Sequence, residues 1–190
     1  MDEFLKVSYT LSPLLAGLAF HGLCIRFDWL SWLARPIDGG VKLHGRPLFG
    51  SNKTYRGLIA VALGTAGGVG LQMLLHRIGV GRAAELLDYS SPTVVGLGFL
   101  LGASAMLAEL PNSMLKRQLG IAPGAAGKRI MGAFFYVLDQ IDMLVGVWVV
   151  LALAIGVTLS RVLWSVVFFF ITHQLLTVVG YRLGMRATGR

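Results

Sequence analysis

Five stretches of mostly apolar residues, each close to the roughly 20 that a helix needs to cross a bilayer, constrain this chain more than any other feature. They run from about Val7 to Ile25, Leu58 to His76, Thr93 to Ser113, Val137 to Ser160 and Val162 to Tyr181. Of the 190 residues 55% are hydrophobic and only 14% charged, against roughly a quarter charged in an average soluble domain. The pattern predicts an all-α integral membrane protein with a single domain over 1–190 and about five transmembrane helices. In the second run Gly64, Gly67, Gly68 and Gly70 would allow close helix approach. The single cysteine, Cys24, lies within an apolar run, so it excludes a disulfide framework and reads as a buried, inert thiol. Met1-Asp2-Glu3 lacks the basic head of a secretory signal peptide, so the first run is expected to stay as a membrane helix.

Cations order the segments between the runs. With the N-terminus outside, the cytosolic side holds Arg26, Arg35, Lys42, Arg46, Lys53, Arg56, Lys116, Arg117, Lys128, Arg129, Arg182, Arg186 and Arg190. The other side holds Lys6, Arg77, Arg82 and Arg161, a split of thirteen to four. Short cytosolic loops carry the excess of Lys and Arg, so the loops at about 26–57 and 114–136 are expected to face the cytoplasm. The same dispersal explains the net charge of +8 and argues against nucleic acid, which calls for a basic stripe on one soluble face. Phe27 to Leu33 is too short to span, and its Trp29 and Trp32 predict an interfacial helix along the headgroups. Pro36, Gly39, Gly40, Gly45, Pro47 and Gly50 predict a loop over Arg35 to Gly50.

Three polar islands border the apolar runs on that cytosolic side. Ser51-Asn52-Lys53-Thr54-Tyr55-Arg56-Gly57 precedes the second run. A helix N-terminus favours phosphate, Lys supplies a point charge and Arg a bidentate fork; an ordinary basic flank with a capping Asn or Thr is the plainer alternative. Ser113-Met114-Leu115-Lys116-Arg117 closes the third run and reads as phosphate contacts or as snorkelling cations. Asp139 and Asp142 share one helix face and suit Mg²⁺ between or beside them, the alternative being aspartates bridged to loop arginines. Glu109 lies inside the third run, where a charge costs on the order of 2.5–3.5 kcal/mol; it is a further metal ligand, a partner that orients Lys116, or an interfacial pair with Lys116 or Arg117. Asp38 is a ligand or a turn former. His21 and His173, alone in apolar runs, read as core residues. Cations, hydroxyls and paired carboxylates at one membrane face are what holds a metal-bound polyphosphate beside a lipid headgroup.

Taken in order, Pro36 to Gly40, Gly45 to Gly57, Ser113 to Gly124 and Asp139 to Asp142 resemble the CDP-archaeol synthase family, which is distantly similar to phosphatidate cytidylyltransferases. The resemblance implies a Mg²⁺-dependent membrane enzyme of phospholipid synthesis. Its substrates would be CTP and a geranylgeranylglycerol-type lipid phosphate, which attacks the α-phosphorus to give a CDP-lipid and pyrophosphate. It also implies roles. Asn52, Lys53, Thr54, Arg56, Ser113, Lys116 and Arg117, with Asp38, would hold the phosphates. Asp139 and Asp142, with Glu109, would hold the metal, and Lys53, Lys116, Asp139 and Asp142 would carry catalysis. Two departures stand out: Ala108-Glu109 where the family tends to have Gly-Asp, and Gln118 in place of a third basic residue.

Rival readings make different demands. The same chemistry on ester-linked phosphatidic acid is the nearest, though the His-Gly-Gly element of true phosphatidate cytidylyltransferases is missing. A small transporter would place ionisable groups deep in several spans, whereas here they crowd one face. An inactive family member is the third.

Overall fold

The computed structural model describes residues 3–123, 125 and 129–182. Lys128, Arg186 and Arg190 of the cation count, Gly124 of the third matching stretch, Met1-Asp2 and the side chain of His173 lie outside the described residues. Five helices carry the fold: α1 (Glu3–Arg26), α2 (Tyr55–Arg77), α3 (Thr93–Gln118), α4 (Arg129–Ile155) and α5 (Leu159–Arg182). Among the described residues four of them, α1 to α4, are long and apolar enough to cross a membrane; α5 contributes a shorter apolar stretch over Leu159–Thr172. Each helix packs on the next, and α5 also packs on α1, which closes the bundle. Val7, Leu11, Val69, Leu101, Val147 and Leu151 form part of its core. Leu71, Leu100, Val149, Leu153 and Phe170 point outward, as the lipid-facing side of a multi-pass membrane protein requires.

Small residues set the helix spacing. A Cβ on Gly64 would come within 2.8 Å of the Gly17 Cα, and one on Gly102 within 2.7 Å of the Ala62 Cα. These contacts hold α1 to α2 and α2 to α3 at backbone distance. Gly68 meets Pro13 in the same way, but around Gly67 and Gly70 the space is open. Only half of the glycine cluster therefore serves packing.

The elements extend past the apolar runs, because a helix does not stop where the bilayer does. α3 continues to Gln118, so Lys116 and Arg117 are helical rather than part of a loop. α4 starts at Arg129 instead of about Val137, which moves Asp139 and Asp142 to its third and fourth turns. The expected interfacial helix is corrected too. After α1 the chain turns through Asp28 (φ 51°) and Leu30 (φ 54°), both in the left-handed region that interrupts a helix, and only Ser31–Leu33 forms a single 3₁₀ turn. Trp29 and Trp32 nonetheless stay exposed. Within the glycine-rich loop a two-residue hairpin forms, β1 (Lys42–Leu43) against β2 (Arg46–Pro47). His44 and Gly45 turn it, with φ of 51° and 78°, as a tight hairpin turn demands.

Candidate functional site

Glu109, Asn112 and Lys116 follow i, i+3, i+7 spacing on α3, so they form one stripe about 10 Å long. Their partners come from two other elements. Lys53, in the turn before α2, forms an ion pair with Glu109, and both side chains are largely buried. Lys116 pairs with Asp139 of α4, and its ammonium lies 5.4 Å from the centre of the Phe135 ring. Between these pairs the Asn112 Nδ2 donates to Asp139 Oδ1 at 2.7 Å and to Asp142 Oδ2 at 2.7 Å. Asp142 is buried, and its Oδ1 accepts the N–H of Met143 at 2.7 Å. Among the described residues the Asn112 Oδ1 is buried without a hydrogen-bond partner.

Other members of the islands are engaged in building the walls. Asp38 accepts N–H bonds from Gly40 at 2.9 Å, Phe49 at 2.9 Å and Gly50 at 3.1 Å. Burial pushes its carboxyl up, but the bonds from Phe49, Gly40 and Gly50 outweigh burial and hold it below its ordinary value. Of the two readings offered for Asp38, the structure puts it in the second, as a turn former. Arg117 is buried against the same stretch; its Nε donates to the Phe49 carbonyl at 3.2 Å and its Nη1 to that of Ile121. The hairpin is tied to the end of α3 by Arg46, which donates to the Gln118 carbonyl, and by Gln118 Nε2, 3.3 Å from the Pro47 carbonyl. Thr54 caps α2, its Oγ1 accepting the Gly57 N–H at 3.2 Å. Arg56 donates Nη1 to Asp28 at 3.0 Å. Ser113 is buried on α3, Asn52 is exposed in the turn, and His21 packs against Gly57.

The candidate residues thus separate into two groups. Lys53, Glu109, Lys116, Asp139 and Asp142 converge on the stripe, whereas Asp38, Thr54, Arg56 and Arg117 hold loop and helix ends in place. Glu109 is paired with Lys53, and among the described residues no three His, Cys, Asp or Glu side chains are arranged to share a metal ion. Sequence reasoning passed over Asn112. Its spacing from Glu109 and Lys116 was the available signal, masked because an amide carries no charge. The aspartate pair still fits a hard cation, since both carboxylates are drawn to a single nitrogen at ordinary bonding distance.

Fold and pocket together define a helical multi-pass membrane protein with a charged site at one end of its bundle. Residues 29–188 match the CarS-like family, described as CDP-archaeol synthase. The chain belongs to that family. It is 39% identical over 124 residues to a CDP-archaeol synthase of Halobacterium salinarum, covering 64% of this chain and 61% of that protein. A CDP-archaeol synthase of Pyrobaculum aerophilum is 31% identical over 168 residues, covering 87% of this chain and 88% of the relative. The chain therefore aligns with about three-fifths of the Halobacterium protein and most of the Pyrobaculum one. A solved structure of an intramembrane enzyme for archaeal membrane lipids biosynthesis shares the fold, with a TM-score of 0.64 at 22% identity over 90% of this chain and 91% of that one.

Proposed function

We propose that this protein is a membrane cytidylyltransferase that transfers CMP from CTP to a lipid phosphate, with the pocket facing the cytoplasm. In this reaction an oxygen of the lipid phosphate forms a bond to the α-phosphorus. The bond from that phosphorus to the bridging oxygen breaks, and pyrophosphate leaves with the electron pair. No protein nucleophile is required, so positioning and charge neutralisation supply most of the acceleration.

The observation that carries this reading is the pairing of the central charges across elements: Lys53 with Glu109, Lys116 with Asp139, and Asp142 through Asn112. Among the described residues each of these two largely buried ammonium groups is neutralised by a protein carboxylate. Substrate binding would exchange partners. Phosphate oxygens take over Lys53 and Lys116, and Asp139 and Asp142 become free to hold Mg²⁺. A bound Mg²⁺ neutralises phosphate charge and polarises the phosphorus under attack. Arg117 and Asp38, by fixing the Phe49–Gly50 stretch, set the wall against which the nucleotide rests.

An apolar groove of about 520 Å³ lies between α4 and α5, starting at Ile141 beside Asp142 and continuing past Trp148 to Ala152 and Val162. Its wholly apolar lining suits the hydrocarbon chains of a lipid substrate. The family and the groove together favour an ether-linked, geranylgeranylglycerol-type phosphate over a water-soluble acceptor. Incubation of the purified protein with labelled CTP, Mg²⁺ and a panel of ether- and ester-linked lipid phosphates tests this directly. CDP-lipid and pyrophosphate are expected in equal amounts, most rapidly with ether lipids; their absence with every lipid phosphate would overturn the reading.

A further inference from the structure

We propose that Asn112 is an oxygen ligand of the divalent ion, through a side-chain amide that turns over when the ion binds. This rests on the metal reading of Asp139 and Asp142 given above. The Asn112 side chain is buried, with 7% of the residue exposed, and lies where it touches both carboxylates. Its two ends are used very unequally. Nδ2 serves both aspartates, while Oδ1 has no partner among the described residues. A buried acceptor without a partner is costly, so the ligand-free arrangement contains an unsatisfied group that a second arrangement can use.

The distances identify that second arrangement. Amide N and O are nearly the same size, so a half-turn of the amide would place Oδ1 where Nδ2 now stands, 2.7 Å from an oxygen of each aspartate. An amide oxygen this close to each carboxylate oxygen is repelled by both unless a cation lies among them. Adjacent oxygens around an octahedral Mg²⁺ with bonds of about 2.1 Å stand about 3 Å apart, close to the spacing found here. Asn112 Nδ2 thus acts as a neutral stand-in, keeping the carboxylates together until the ion arrives. Glu109 is meanwhile tied to Lys53, which leaves room in the shell for a neutral ligand.

Mn²⁺ titration of the purified full-length protein, followed by electron paramagnetic resonance without CTP or lipid, separates this role from simple positioning. Asn112→Ala is expected to weaken Mn²⁺ binding at least tenfold. Asn112→Asp keeps an oxygen but loses the N–H donor; it is expected to bind Mn²⁺ as tightly as the native protein or more so. Mn²⁺ should also raise its melting temperature more than it raises the native one. If Asn112→Asp binds as weakly as Asn112→Ala, or if Asn112→Ala binds normally, the ligand assignment is overturned. Should Asn112→Ala fail to fold, the melting shift of Asn112→Asp alone decides, a shift no larger than the native one counting against it. Asp142→Asn, run alongside, tells the two readings apart. Lost binding there with normal binding in Asn112→Ala removes only the asparagine, whereas normal binding in Asp142→Asn removes the metal site itself.

Discussion

Lys53 and Glu109, fifty-six residues apart in the chain, form an ion pair that fastens the turn before α2 to the face of α3. That pair divides the possible roles of Glu109. As a counter-ion it competes with substrate for the lysine; as a metal ligand it would assist substrate.

Glu109→Gln therefore should bind metal-free CTP more tightly than the native protein by a few-fold, because the competing carboxylate charge is gone. Lys53→Ala should bind it about 10- to 100-fold more weakly, the range of a charged hydrogen bond. Calorimetric titration measures both. Weaker binding in Glu109→Gln would place the carboxylate on the ligand's side.

Asp38 gives the loop before α2 a pH limit. Its carboxyl titrates below the ordinary value because the Phe49, Gly40 and Gly50 N–H bonds outweigh burial. A depressed carboxylate stabilises the fold fully above the unfolded pKa of about 3.9. That contribution falls as pH drops through the lower folded value. Asp38→Asn should accordingly melt below the native protein at pH 7, and the gap should close as pH is lowered below about 4. A gap independent of pH would mean that the charge is immaterial to those bonds.

Arg117→Lys probes the wall of the pocket. One ammonium is poorly matched to the Phe49 and Ile121 carbonyls that the guanidinium serves from two nitrogens. Amide exchange over residues 36–50 should quicken while the core of α2 and α3 stays protected, at a cost of about 1–2 kcal/mol. Unchanged exchange in the loop would contradict the anchoring role.

Glycine substitutions should sort by contact, not by position in the sequence. Gly102→Ala drives a methyl against the Ala62 Cα and the Val61 carbonyl oxygen, each only 2.7 Å from where that carbon would lie. Overpacking of this kind costs about 1–3 kcal/mol. Gly67→Ala meets open space and should leave the melting temperature unchanged or slightly raised. Equal destabilisation by both would refute the packing account.

The helical bundle was legible because bilayer thickness imposes a length that apolar runs reveal directly. Their ends were less so. α3 and α4 run beyond the apolar segment, and nothing in hydropathy marks where Gln118 or Arg129 should fall. The islands at Lys53, Lys116 and Asp139-Asp142 announced themselves by charge. What charge did not reveal was the division of labour among cations: Arg117 and Arg56 look like Lys53 and Lys116 in sequence, yet they bond to a backbone carbonyl and to Asp28. Pairing across elements decides such roles, and it emerges only once the helices are assembled. Asn112 escaped for a related reason, since its importance lies in which two side chains it joins.

The most direct test of the central claim is product formation by Asp142→Asn, assayed with CTP, Mg²⁺ and an ether-linked lipid phosphate in protein shown by thermal melting to be folded. The pocket between α3 and α4 predicts CDP-lipid from the native chain and a loss of about a thousandfold in the variant, the scale on which electrostatic groups at a reacting centre act. Native-level turnover by folded Asp142→Asn would contradict it, and would move the chemistry away from the place where α3 and α4 meet.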